Sequence, residues 1–331
     1  MTPPPTDVDD TADASDSADT DDCEESHESS GSPEMDPVDA FAALSDPIRV
    51  ETIRVLASEF RTSPDDPVLA FSTLRRRVGV DDPGQFLYHL KRLLGTFVEK
   101  TDAGYRLTEA GHAAVAAMVA GTYTRDVTLG PTPLDSDCPL CAADVVARYA
   151  EGVLSVTCRR DHPLFVWSLP PNAAADAELT ELVDVARLHL SHVVELLLAG
   201  SCPSCWSAAT TRIEGLGDET ASLRFTATCD TCGARVVGPV GFAVLGHAAV
   251  DAFYHRHGTA PRDRWLWELS FVHPHAAVEL TDVAARGDET ERGDGLARVE
   301  LTVELADETL VVSLDETAHV VSTRIESSRP N

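Results

Sequence analysis

"DDPGQFLYHLKRLLG", residues 81–95, sets aspartate and proline ahead of an apolar run and ends on glycine. Asp82 is a capping carboxylate, and Pro83 suits the first position of a helix. At about 100° per residue from Pro83, Phe86, Leu87, Leu90, Leu93 and Leu94 gather within an arc of roughly 120°. Gly84, Gln85, Tyr88, His89, Lys91 and Arg92 fill the opposite side, and Gly95 is the expected stop. A helix this short with two cations and a tyrosine on its polar side either faces water or lies against a partner. Its surroundings in the chain decide between the two.

The same idiom recurs upstream. Asp36-Pro37 starts a helix that runs to about Leu44, and Asp46-Pro47 starts one that carries Ile48, Ile53, Val55 and Leu56 toward Phe60. "VLAFS" (68–72) reads as a short strand, with Ser72 capping "TLRRRVG" and Leu74 and Val78 turned inward. After Gly95, "TFVEKTDAGYRLT" has two strand-like runs around Asp102-Ala103-Gly104, the pattern of a hairpin. "EAGHAAVAAMVAG" then closes the segment near residue 121.

Helix, helix, short strand, short helix, glycine-stopped helix, hairpin, helix is the order of a winged helix-turn-helix, here over residues 36–125. In that order "FAALSDPIRVETIRVL", "FSTLRRRVGV" and "YHLKRLLG" resemble the ArsR-like family of prokaryotic regulators, in the haloarchaeal type that carries an additional C-terminal region. The resemblance covers about 85 of the 331 residues. It implies a homodimeric transcriptional regulator of double-stranded DNA whose residues 83–95 enter the major groove. Gln85 and Tyr88, with Gly84 in the same corner, are then placed to reach base edges, and the Gln85 amide can both donate to and accept from adenine. Lys91, Arg92, Arg75, Arg76, Arg77 and Arg106 are candidates for phosphate. Each has a plainer reading: the arginine triplet as a solvated face, Tyr88 as a cap on the core edge, His89 as packed. The cysteine motif by which the best-known sensors of that family hold metal is absent, since no cysteine lies between Cys23 and Cys138. The effector and target genes are not readable.

Charge is compatible with this. The net charge is −29, yet residues 1–35 hold 12 acidic and no basic side chains, residues 36–130 hold 13 and 11, and residues 131–331 hold 30 and 15. One near-neutral stretch sits inside an acidic protein, and a polyanion would meet that stretch. With 43% hydrophobic content the acidity reads as a coat on folded domains, the habit of salt-loving microbes, archaea among them. In molar salt the Debye length is about 3 Å, which screens repulsion of DNA by that coat. Residues 1–35 are too polar to offset the entropy of ordering and are expected to be a disordered acidic tail. The first residues lack the basic-then-apolar pattern of a secretory signal, and no stretch of 18 apolar residues suggests a membrane span, so a cytoplasmic protein is expected.

Seven of the eight cysteines fall in metal-type spacings. Cys202 and Cys205 in "CPSC" are followed after 23 residues by Cys229 and Cys232 in "CDTC", the spacing of a four-cysteine zinc ribbon. Cys138 and Cys141 in "CPLC" precede Cys158 and His162 in "CRRDH", a Cys₃His set. Redox disulfides are the alternative for the first set, and a surface histidine before proline is the alternative for His162. Two structural zinc ions per chain are expected. The units 134–199 and 200–260 share one order, with CPxC turn, strands, second ligand pair, apolar run and helix ("ELTELVDVARLHLSHVVELLLAG", "GFAVLGHAAVDAFYHRHG"), as duplication would leave it. The first helix suits either the core or a second subunit.

Residues 261–326 read as an antiparallel β region. "ARVELTVEL", "ETLVVSLD" and "AHVVSTRI" alternate across short turns, and Trp265 and Trp267 share one face of a first strand. The fold class is thus α+β multidomain. No enzyme is expected: a zinc deaminase needs H-x-E before P-C-x-x-C, whereas His192 and Glu195 make H-x-x-E and both CPxC runs hold their proline inside the pair. A different class of reading is a zinc-ribbon adaptor that binds protein or RNA in place of duplex DNA.

Overall fold

The computed structural model describes residues 35–215, 223–273, 278–280 and 298–327. The tail expected over 1–35, Cys23 included, lies outside these residues except for Met35. The chain divides into two compact units, Met1–Thr108 and Glu109–Asn331, and the α+β expectation holds.

In the first unit, α1 (Pro37–Ala43) and α2 (Pro47–Thr62) begin where their aspartates cap them: Asp36 Oδ1 accepts from the Val38 N–H at 2.7 Å, Asp46 Oδ1 from Ile48 at 2.9 Å. The helices α3 (Phe71–Val78) and α4 (Pro83–Lys91) follow, then the hairpin β1 (Val98–Lys100) and β2 (Tyr105–Leu107). Ile53, Leu56, Leu74, Phe86, Leu90, Leu93 and Val98 are buried where these elements meet. The strand expected over 68–72 shrinks to a single bridge, Leu69 with Tyr105. The helix starts at Phe71, with Ser72 inside its first turn and no side-chain cap. The reason is tertiary: coiled here, Phe71 sets its ring 5.3 Å from Phe86 and 6.3 Å from Tyr105.

Two expectations for residues 81–95 also change. Leu87 stays 37% exposed, because Phe86, Leu90 and Leu93 already fill the contact. The helix ends before Gly95: Arg92 and Leu93 turn back onto the His89 and Leu90 carbonyls, and Phe97 and Val98 onto Leu93. Gly95, at φ +87°, serves the turn into β1.

The helix α5 (Glu109–Ala120), expected to close the first segment, groups with the second unit, where it packs on α6 (Pro171–Ala174). Four antiparallel strands run in sequence order, β3 (Leu129–Asp137), β4 (Asp144–Ala150), β5 (Val153–Cys158) and β6 (Pro163–Ser168). After α6 comes α7 (Leu179–Leu198), then a three-stranded sheet of β7 (Thr210–Gly215), β8 (Leu223–Thr228) and β9 (Arg235–Pro239). A 3₁₀ turn (Val240–Val244) and α8 (Ala248–Arg256) lead to a last antiparallel sheet, β10 (Val278–Leu280), β11 (Val299–Leu305), β12 (Glu308–Leu314) and β13 (Val320–Ser327).

The segments 134–199, 200–260 and 261–326 share one hydrophobic core. Its axis is α7, whose Leu182, Val183, Ala186, Leu190, Val193, Val194 and Leu197 recur at three and four residues and are buried against both cysteine-bearing sheets. Val185 and Leu188 on its other face stay exposed. The helix expected over 241–258 is split, because His247 Nδ1 accepts the Ala249 N–H and restarts it as α8. Trp267 lies in a 3₁₀ turn (Leu266–Glu268) and Trp265 just precedes it, which corrects the expected strand. Their rings still stack, at 5.3 Å and 5°.

Candidate metal centres and nucleic-acid interface

Asp82 fixes the first turn of α4, its Oδ1 accepting the Gln85 N–H at 2.6 Å. With Phe86 and Leu90 fully buried, the opposite face is set: Gly84, Gln85, Tyr88, Lys91 and Arg92 are all exposed. Arg92 lies over the Tyr88 ring with its guanidinium carbon 5.6 Å from the centroid, one turn apart on the helix. His89 is half-buried with Nδ1 3.3 Å from Asp46 Oδ1, so it is packed, in line with the plainer reading.

The remaining cations divide. Arg75 Nη1 donates to the Val80 carbonyl at 2.7 Å and to that of Asp81, tying α3 to the turn before α4. Arg77 pairs with Glu59 on α2, and Arg106 pairs with Glu99 at 2.5 Å, opposite it in the hairpin. Arg76 is exposed and has no acidic partner among the described residues. The face of α4 therefore gathers Gln85, Tyr88, Lys91 and Arg92, whereas Arg75, Arg77 and Arg106 are engaged within the fold. Glu59 and Glu99 are missed by sequence reading, because only the tertiary fold opposes Glu59 to Arg77.

The cysteines converge as their spacing predicts. Cys138, Cys141, Cys158 and His162 form one tetrad and Cys202, Cys205, Cys229 and Cys232 another, with ligand atoms within 4.8 Å of one another in each. Sulfur pairs stand at 3.7 Å (Cys141–Cys158) and 3.6 Å (Cys202–Cys232, Cys205–Cys229), and His162 Nδ1 lies 3.6 Å from Cys138 Sγ and 3.5 Å from Cys158 Sγ. A disulfide needs about 2.05 Å, and all these thiols are free. A tetrahedral ion with sulfur at about 2.3 Å and nitrogen at about 2.0 Å has edges of about 3.8 Å and about 3.5 Å. The donor sets fit such an ion.

Local backbone builds the corners. The Cys138, Cys202 and Cys229 N–H groups each bond to a carbonyl five residues on, those of Ala143, Ser207 and Ala234. The residue after the second cysteine is left-handed in each turn: Ala142 (φ +53°), Trp206 (+63°) and Gly233 (+75°). Only Gly233 takes that conformation without strain, so sequence announces one of the three. Ser207, through its hydroxyl and then its N–H, lowers the Cys205 thiol to about 6 and favours the thiolate a metal needs. Cys232 is pushed up to about 12: the Ala234 N–H lowers it, and the Cys205 thiol, burial and the other two cysteines outweigh that. Four thiols around one point resist losing all their protons until a cation joins them.

A model for the family described as "Domain of unknown function (DUF7351)" matches residues 135–320, which take in both tetrads. The chain belongs to this family. Residues 37–118 are similar to a second, "Domain of unknown function (DUF7347)", which spans α1 to most of α5. No curated protein and no solved structure matches the chain.

In this DUF7351 region the first tetrad is braced by a network that sequence does not reveal. Trp265 Nε1 donates to the Asp135 carbonyl at 3.4 Å, Trp267 Nε1 to Ser136 Oγ at 2.9 Å, and Ser136 in turn to Glu268 Oε1 at 2.6 Å. The strand that enters Cys138 is thereby fastened to residues some 130 positions later. No helix among the described residues is long and apolar enough to cross a membrane.

Proposed function

We propose that the chain is a sequence-specific, homodimeric transcriptional regulator with an ArsR-like winged helix-turn-helix over residues 36–125 and two structural zinc ions. The observation that carries this reading is the outer face of α4. Gln85, a base-reading amide, sits one turn from Tyr88, and Lys91 and Arg92 follow, all exposed and without a carboxylate partner among the described residues. On this reading Gln85 and Tyr88 read base edges, while Lys91, Arg92 and Arg76 meet phosphate. Arg75 ties α3 to the turn before α4, and Arg77 ties α3 to α2. Each tetrad supplies four protein ligands and leaves no open corner for water, which supports a structural in place of a catalytic zinc ion in each.

One observation favours the second reading, an adaptor for protein or RNA: with Arg75, Arg77 and Arg106 paired internally, the free cations near α4 are few. Chromatin immunoprecipitation of the tagged chain, read beside transcript changes on deletion, separates the two. Discrete genomic peaks at genes whose transcripts change support the regulator. Absence of peaks supports the adaptor.

A further inference from the structure

The second unit holds a cleft of about 490 Å³ between β6, α7 and β9, reaching Pro203 and Ser204 in the turn between Cys202 and Cys205. That volume lies in the range of small-molecule sites, about 300–1,000 Å³. Trp167, Val193, Leu197 and Val236 give it an apolar wall.

Among the described residues no carboxylate lines the cleft, and the one permanent charge in its lining is Arg235. Five guanidinium groups elsewhere in the unit meet carboxylates: Arg159 with Asp144, Arg212 and Arg224 with Glu214, Arg256 with Glu308, Arg324 with Glu300. Arg235 has no such partner among the described residues. A second donor stands in the same wall. The indole N–H of Trp167 donates to His189 Nδ1 at 3.0 Å. An indole can only donate, so Nδ1 is the acceptor and the proton of a neutral ring sits on Nε2. His189 is thus held as an N–H donor, its ring edge-on to Trp167 at 5.8 Å between centroids.

An exposed cation, an N–H donor and an aromatic wall suit a single negative charge on an apolar body. We propose that this cleft binds a small organic carboxylate, its oxygens on Arg235 and on the His189 Nε2–H and its apolar body against Trp167, Val193 and Leu197. Polyanions such as phosphate esters would find too few donors here. The site does not depend on the DNA-binding reading, since all its residues lie in the second unit.

The test is titration of the metal-loaded, full-length protein in molar KCl with phenylacetate, phenylpropionate and octanoate, each beside its neutral amide, by calorimetry and tryptophan fluorescence. The acids should bind on the order of ten-fold more tightly than the amides, as a charge-assisted hydrogen bond provides. Arg235→Gln should abolish that preference with metal content unchanged, and His189→Gln, which retains an N–H donor, should keep most of it. The proposal is overturned if no acid binds at millimolar concentration, if acids and amides bind alike, or if Arg235→Gln retains the preference.

Discussion

Replacing His162 with alanine removes one corner of the first tetrad and nothing from the second. Together the tetrads offer seven sulfurs and one nitrogen, an average of about 3.5 sulfurs and about 0.5 nitrogen per ion. X-ray absorption at the zinc edge should therefore fit sulfur at about 2.3 Å with a minor nitrogen shell at about 2.0 Å, and metal analysis should return about two zinc per chain. In His162→Ala the first site has three thiols, two of them buried, and no fourth donor among the described residues. Zinc content should fall to about one, and the remaining ion should be coordinated by sulfur alone. The energetic consequence is large. Structural zinc in small domains binds with about 10–16 kcal/mol of apparent free energy, against a total stability of about 5–15 kcal/mol for a typical domain. Because β3 to β6 share a core with α7 and the last sheet, melting of the second unit should shift as a whole. Retention of two zinc ions with an unchanged nitrogen shell in His162→Ala would refute the assignment of His162, and oxygen ligands in the native spectrum would refute both tetrads.

Four smaller perturbations follow from the same geometry. Gln85→Ala should relax preference between operator and random DNA, whereas Arg92→Ala should weaken both alike; equal losses for the two variants in fluorescence anisotropy would contradict the assigned roles. Asp82→Ala, which strips the acceptor from the Gln85 N–H, should cost about 1 kcal/mol in thermal unfolding, and Asp82→Asn should cost little. A Cβ on Gly104 would stand 2.3 Å from the Leu69 carbonyl oxygen, so Gly104→Ala should break the Leu69–Tyr105 bridge at a cost of about 1–3 kcal/mol. Hydrogen exchange at the Tyr105 amide reads that loss directly, and unchanged protection would count against it. Ser207→Ala removes the donors' leading member at Cys205, so that thiol rises from about 6 toward its ordinary range. Protons then compete with metal at higher pH, and the midpoint of zinc release on acidification should move upward; a midpoint that stays in place or falls would contradict this.

Much of this was open to reading along the chain. The Asp-Pro pairs placed the starts of α1, α2 and α4, because a cap acts within three residues of itself. Both metal tetrads were readable for a similar reason: a thiolate pair two residues apart has nearly one geometry, and a hairpin between pairs brings them together. What failed concerned contacts made at a distance. Phe71 joined a helix because its ring packs on Phe86 and Tyr105, Trp265 and Trp267 left the strand pattern to brace Asp135 and Ser136, and Arg77 was claimed by Glu59.

The amino-acid order by itself determined the caps, the apolar periods and the metal-ligand spacings, all of them properties of a few neighbouring residues. Tertiary structure alone decided which arginines stay free, that three segments share one core around α7, and that Trp167, His189 and Arg235 line a common cleft. Local chemistry acts over one or two turns of chain. Burial and charge pairing depend on partners that only the completed fold brings within reach.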